Sequence, residues 1–342
     1  MVLTTLLIGR SAMLDVSGIE TEFRTKRGVV HAVNGVSFTV GDGEIVGIVG
    51  ETGCGKSVTI RSILGLVKAP GHVLKGSAVF DNKDLLALSP RELRKTRGAE
   101  IGFVAQHPFG SLNPILRIGT QFKNVIRAHR HASSDECQEL ALQMLEAVEI
   151  PGPKRVLNGY AHELSGGMAQ RVVIGLAMVL DPRLVIADEP TTALDVTVQR
   201  QILDLIAELT SKGDRSMILV THDLGVVAEY CQRVVVMYAG KVVESGPVGD
   251  VFRNPAHPYT EDLLAAIPLP GERLRALRGT LPDLIDYPVG CPYNPRCSYV
   301  SEPWNLPAPT LRRISGDRMV SCHLDILSEE VERRDSDAPG VG

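Results

Sequence analysis

Five consecutive apolar residues, Ile45 to Val49, run straight into Gly50-Glu51-Thr52-Gly53-Cys54-Gly55-Lys56-Ser57, and apolar residues at helical spacing follow at Val58, Ile60, Ile63 and Leu64. A short run of this kind reads as a strand buried on both faces. The glycines permit backbone angles that turn successive N–H groups inward at an anion, and the helix behind them brings a positive N-terminal dipole. Lys56 can reach the β- and γ-phosphates of a nucleotide, and the Ser57 hydroxyl can ligate Mg²⁺. Gly50, Glu51, Thr52, Gly53, Cys54, Gly55, Lys56, Ser57 and Val58 are therefore the candidate phosphate-binding residues, with Lys56 also a candidate catalytic group. At Cys54 the dipole is expected to favour the thiolate; the residue reads as a filler of its position, reactive to alkylating agents unless nucleotide shields it.

The rest of the chain supplies the sheet that such a loop requires. Residues 14–23, 29–40, 101–105, 184–187 and 217–220 read as strands, with a hairpin around Ala239-Gly240. Helical stripes lie at 135–149, through Val198, Ile202, Leu205, Ile206 and Leu209, at about 224–231, and at 259–267. Strands alternating with helices predict an α/β core with a mostly parallel sheet. Beyond Gly246 proline becomes dense and periodicity fades, which sets a boundary between residues 1–246 and an extension over 247–342. The charged run Glu332 to Asp337 predicts a disordered end.

Composition removes several functions. A formal charge of −4 and only 4% aromatic residues argue against nucleic acid as a partner and against a base-stacking surface. No segment reaches the roughly 20 apolar residues of a membrane-spanning helix, and Met1 to Ile8 lacks the basic start of a secretory signal. Cytoplasmic placement is expected. Six cysteines in 342 residues do not make a disulfide scaffold.

A second carboxylate-bearing strand end sharpens the chemistry. Leu184 to Ala187 leads into Asp188-Glu189, at the strand end where open α/β sheets bind ligands. Asp188 suits Mg²⁺ beside Ser57, and Glu189 suits a general base or water-orienting role. Leu164-Ser165-Gly166-Gly167-Met168-Ala169-Gln170-Arg171 then resembles the signature motif of ATP-binding-cassette ATPases. Gln106 resembles that family's Q-loop glutamine, Asp188-Glu189 its Walker B pair, Ala193-Leu194-Asp195 its D-loop and Thr221-His222-Asp223 its switch histidine. This resemblance covers roughly residues 14–246. It implies a P-loop cassette core with an antiparallel N-terminal β part, an inserted helical subdomain over about 107–178, and an irregular C-terminal extension.

Ser111-Leu112-Asn113-Pro114, His162-Glu163, Thr191 to Gln199 and Asn254 to Thr260 are similar to the oligopeptide, dipeptide and nickel importer branch of that family. Ala169 departs from it, standing where relatives often carry a long polar or basic side chain. The resemblance implies two ATPs held between the Lys56 loop of one subunit and Ser165-Gly166-Gly167 of another. Asp195 would lie at the seam, Gln106 and Asp188 beside Mg²⁺, and Glu189, His222 and Lys56 would act on the γ-phosphate. It implies as partners a second ATPase subunit, two membrane permeases and an extracytoplasmic solute-binding protein, with this chain peripheral at the cytoplasmic face. A soluble cassette ATPase of translation or DNA repair is the alternative. The family's adenine-stacking aromatic is matched by Phe23, which reads equally as a core residue, and an arginine among residues 24–27 is the alternative for adenine contact.

Cys291-Pro292-Tyr293-Asn294-Pro295-Arg296-Cys297, with Cys322-His323, is similar to the extension of peptide-importer ATPases, in which four cysteines can hold an iron–sulfur cluster. Here Trp304 stands where the third cysteine is expected, leaving Cys291, Cys297 and Cys322. A [4Fe-4S] cluster with His323 or an open iron site, a zinc site, and plain structural thiols all stay open.

Overall fold

A computed structural model describes residues 12–192, 194–267, 277–299 and 306–324. The signal reading at Met1 to Ile8, Ala193, Trp304 and the charged run from Glu332 lie outside these residues. Two long strands come first, β1 (Ala12–Thr25) and β2 (Gly28–Gly41), then β3 (Ile45–Val49) and α1 (Lys56–Ile63). They are followed by β4 (Gly71–Phe80), β5 (Lys83–Asp84), α2 (Pro90–Ala99), β6 (Ile101–Val104) and α3 (Pro108–Ser111). The middle is helical: α4 (Ile118–His129), α5 (Ser134–Ala147), α6 (Pro153–Asn158) and α7 (Gly166–Met178). Alternation resumes with β7 (Leu184–Asp188), α8 (Val196–Lys212), β8 (Ser216–Val220), α9 (Leu224–Tyr230), β9 (Arg233–Tyr238) and β10 (Lys241–Pro247). The extension adds α10 (Val248–Arg253), α11 (Pro258–Ala265), β11 (Arg312–Ser315) and β12 (Arg318–Val320).

The chain forms two compact units. One comprises residues 1–15, 39–45 and 79–220. Its parallel strands β6, β7 and β8 pair in the register Ile101↔Leu184 and Leu184↔Ser216. β7 and β8 are buried along their whole length, as the apolar runs Leu184 to Ala187 and Met217 to Val220 require. In its helical block Ile118, Phe122 and Ile126 are fully buried on one stripe of α4. Gly175 of α7 lets Phe122 approach, since an added Cβ would lie 3.3 Å from the Phe122 ring and 3.2 Å from Met144. Capping boxes at Ser89/Glu92 and Ser133/Glu136 start α2 and α5.

The other unit comprises residues 16–38, 46–78 and 221–342. Here β3 and β9 are parallel, from Val46↔Arg233 to Val49↔Val236. β9 turns through Ala239 and Gly240, both at positive φ, into antiparallel β10. The β11–β12 hairpin then pairs with β10 at Glu244↔Val320, so the extension adds strands to a sheet of the nucleotide-loop unit, where sequence periodicity predicted none. Strands β2-β1-β4-β5 make the separate N-terminal sheet. The whole is the mixed α/β, cassette-type architecture expected.

A buried charge pair fastens the added hairpin. Glu244 is 0% and Arg318 6% exposed, and they meet at 2.8 Å. The Glu244 carboxylate also accepts from the N–H groups of Ala256 and His257 at 2.9 and 3.1 Å. Arg318 further donates to the Asn254 carbonyl. These bonds hold β10 and two segments of the extension, around Asn254 to His257 and at Arg318, in one register.

Candidate functional site

The nucleotide loop is built on β3. Gly50 and Gly55 adopt φ of 149° and 107°. A Cβ at Gly50 would overlap the Met237 carbonyl oxygen, and one at Gly55 the Ala32 carbonyl oxygen. No side chain fits at either position, so both must be glycine, and their backbone angles suit a loop that turns its N–H groups toward a phosphate. Lys56 opens α1, is buried, and donates from Nζ to the carbonyls of Gly50 at 2.6 Å and Glu51 at 3.2 Å. Glu51 is tied further: its N–H donates to the Tyr259 hydroxyl at 2.9 Å, and its carboxylate accepts from Arg296 at 2.8 Å. The expected reactive thiol at Cys54 is corrected. Its side chain is 1% exposed, and burial pushes its pKa up despite Lys56 nearby; desolvation outweighs the helix dipole.

In the same unit the Thr221 N–H donates to the Ile48 carbonyl at 3.1 Å, fixing the start of the Thr221-His222-Asp223 segment against β3. Asp223 caps α9 by accepting from Gly225 and Val226. His222, between these two anchors, is exposed.

In the other unit Asp188 ends β7 at 1% exposure. Glu189 follows with φ of 46°, a left-handed backbone uncommon outside glycine and held here by a bond from its N–H to the Val220 carbonyl at 2.9 Å. Its Oε2 accepts from Gln106 Nε2 and from Thr192 Oγ1, each at 3.0 Å. The structure therefore brings together the Q-loop glutamine and the second strand-end acid, residues 83 positions apart. Thr192, which belongs to the family-like stretch Thr191 to Gln199, joins the site through this bond.

Ser165 caps α7, its hydroxyl accepting from the Met168 N–H at 3.3 Å. Asp195 caps α8, accepting from Val198 at 3.0 Å. Both caps are exposed. A Cβ at Gly167 would lie 2.9 Å from Val198, so the N-terminal turns of α7 and α8 pack closely. Ala169 is fully buried, which explains a small side chain at the position that departs from the family pattern.

Phe23 is half-buried, and a Cβ at Gly71 would lie 2.6 Å from its ring, so that ring packs on backbone. Arg24 is paired with Glu22 at 3.0 Å.

Cys291, Cys297, Cys322 and His323 line one small cavity of the extension. Among the described residues, however, no three His, Cys, Asp or Glu side chains stand close enough to hold a metal ion. Burial pushes the Cys322 thiol up to about 12 and raises Cys291 too. The [4Fe-4S] and zinc expectations therefore have no coordination set among the described residues to support them.

A model of the ABC transporter family matches residues 33–192, and one of the oligopeptide/dipeptide transporter C-terminal region matches residues 243–303. Putative peptide import ATP-binding protein BMEII0863 of Brucella melitensis is 46% identical over 323 residues, covering 90% of this chain and 96% of that protein. Dipeptide transport ATP-binding protein DppD of Haemophilus influenzae is 44% identical, covering 91% and 95%. Oligopeptide transport ATP-binding protein OppD of Bacillus subtilis is 46% identical, covering 86% and 83%. Among solved structures, a dimeric ATP-binding cassette in a post-hydrolysis state with ADP and phosphate is similar with a TM-score of 0.62 and 30% identity, over 69% of this chain and 99% of that one. With the loop, the acid pair and the signature helix in place, the chain belongs to the ABC transporter family of ATP-binding proteins, in the branch that carries the oligopeptide/dipeptide transporter C-terminal region.

Proposed function

We propose that this chain is the ATP-hydrolysing subunit that powers import of peptides through a membrane permease pair. The observation that carries the reading is the Glu189 carboxylate, gripped at one oxygen by Gln106 and Thr192 directly after the buried Asp188. A carboxylate held in one orientation at a strand end suits the polarising of an attacking water. Lys56 and the N–H groups of Gly50 to Val58 take up phosphate charge, and His222 contacts the γ-phosphate. Ser57, Gln106 and Asp188 would hold Mg²⁺, which supplies charge neutralisation at the phosphate oxygens. Ser165, Gly166 and Gly167 offer a helix start to the γ-phosphate bound by a facing subunit, and Asp195 lies at that seam. ATP bound better by the closed pair than by the open one drives closure.

The domain reading is a nucleotide-binding domain over residues 1–246, with a helical subdomain at about 107–178, and an extension over 247–342; the two family matches support this division. The partners are a second ATPase subunit, two permeases and an extracytoplasmic solute-binding protein, and the place of the chain is peripheral, at the cytoplasmic membrane face. No helix among the described residues is long and apolar enough to cross a membrane. The peptide-import names of the relatives leave the translation or DNA-repair alternative without support. The cysteine cavity stands apart from this chemistry, and iron and sulfide assays on anaerobically purified protein read directly whether it takes up a cluster.

The test is Glu189→Gln in the assembled transporter. ATP binding stays near wild type while turnover falls about 100- to 10,000-fold, the range for loss of a general base. Turnover within a few-fold of wild type would remove Glu189 from the role.

A further inference from the structure

Glu51 places a negative charge inside a loop that has to accept a polyphosphate, and Coulomb repulsion there opposes binding. Four hydrogen bonds meet at this residue. Its carbonyl accepts from Cys54 N–H at 3.1 Å and from Lys56 Nζ at 3.2 Å. Its N–H donates to the Tyr259 hydroxyl at 2.9 Å, and its Oε1 accepts from Arg296 Nη1 at 2.8 Å. The last two partners lie 208 and 245 positions further along the chain, both in the extension.

Arg296 is built in rather than resting on the surface. Its side chain is 4% exposed, and its guanidinium stands 5.5 Å from the ring centres of both Tyr238 and Tyr293. Nη1 also bonds the Tyr238 hydroxyl at 3.2 Å, and Nε donates to the Arg278 carbonyl. The ring of Tyr259 packs against Tyr238 and Tyr293, with centres 4.6 and 5.3 Å away. A buried guanidinium cannot follow a moving carboxylate without losing its counter-charge. Glu51 is therefore both neutralised and held still.

We propose that Arg296 and Tyr259 are positioning residues for nucleotide binding: from the extension they cancel the charge of Glu51 and fix the loop carbonyl on which Lys56 rests. This rests on reading Gly50 to Ser57 as the ATP site. The C-terminal extension is then part of the ATP-binding apparatus, and ATP affinity depends on its being folded in place.

The experiment is titration of full-length protein with a fluorescent methylanthraniloyl ATP and Mg²⁺. Arg296→Gln exposes the charge of Glu51 and weakens binding about tenfold, the scale of one unscreened charge near the phosphates. The loss is larger for the triphosphate than for the diphosphate. In the assembled transporter KM for ATP rises while kcat stays within about twofold. Adding Glu51→Gln to Arg296→Gln removes that charge and restores affinity to within about threefold of wild type. A merely structural arginine gives the opposite pattern, with the double variant as weak as the single one or weaker, and that result overturns the proposal. Should Arg296→Gln fail to fold, Tyr259→Phe, which leaves only the Glu51 N–H without its acceptor, carries the test: weaker binding supports the tether and unchanged binding contradicts it. Lys56→Ala separates the two layers. If it binds nucleotide as well as wild type, the ATP-site reading itself fails; if it loses binding while Arg296→Gln keeps it, only the role of the extension falls.

Discussion

The loop around Lys56 and the turn around Ser165 are both glycine-rich helix starts, yet they are held in different ways. Ser165 and Asp195 cap their helices within three residues, accepting from the N–H groups of Met168 and Val198. Around Lys56, beside the local bonds from Lys56 Nζ and the Cys54 N–H, fixing contacts come from Gly240, Tyr259 and Arg296, far along the chain. A locally capped turn survives distant changes, and a turn fixed from a distance inherits the stability of everything that positions its anchors. The nucleotide loop is thus exposed to damage in the extension, and the signature turn is not.

The largest expected break in that contrast is at Arg318. Arg318→Met leaves Glu244 buried without its counter-charge and destabilises the protein by about 3–5 kcal/mol, read by urea denaturation, with nucleotide binding lost early in the transition. The corresponding cut in the other unit, Glu149→Ala, removes the partner of Arg171 from a carboxylate that is 66% exposed, and costs under about 1 kcal/mol. Next comes Gly55→Ala, whose Cβ has backbone on one side and a φ of 107° against it. About 100-fold weaker ATP binding is expected from the resulting strain, measured by nucleotide titration. At Gly166 the nearest atom to an added Cβ is 3.5 Å away, so Gly166→Ala leaves the thermal midpoint nearly unchanged.

A pH dependence follows with smaller effect. Burial pushes His257 down to about 3 from 6.5, while its Nδ1 accepts from the Tyr259 N–H. The unfolded chain binds a proton between those values and the folded one does not, so stability present above about pH 6.5 is lost as pH falls toward 3. His257→Asn keeps a capping acceptor and flattens that part of the stability profile; an unchanged profile would assign the acid loss elsewhere. Ser165→Ala removes one cap and costs about 1 kcal/mol by thermal denaturation, without touching the affinity of the Lys56 loop.

The same contrast explains what could be read from sequence. Strands β3, β7 and β8 were legible because burial on both faces leaves an unbroken apolar run, and the motifs at Lys56, Ser165 and Asp188 because the residues doing the work are contiguous. Cys54 misled: a helix start is visible in sequence, but the desolvation that overrides it comes from packing. The β11–β12 hairpin went unread because Arg312 and Arg313 are exposed and the strands are only four and three residues long, too short for a period to show. Arg296 and Tyr259 were quoted within family-like stretches, yet nothing in those stretches points 208 or 245 residues back to Glu51. The cysteine spacing suggests ligands, and the structure brings Cys291, Cys297 and Cys322 to one cavity without a close set of three metal-binding side chains among the described residues.

The central claim is that ATP is held and split between the Lys56 loop of one subunit and the Ser165 turn of the subunit facing it. Orthovanadate trapped with ADP in the assembled transporter, followed by ultraviolet irradiation, cuts the backbone wherever the γ-phosphate position touches it, and mass spectrometry of the fragments locates the cuts. The account predicts breaks in this chain both within Gly50 to Ser57 and within Ser165 to Gly167. Cuts confined to the Lys56 loop, with the Ser165 turn intact in every trapped sample, would contradict it.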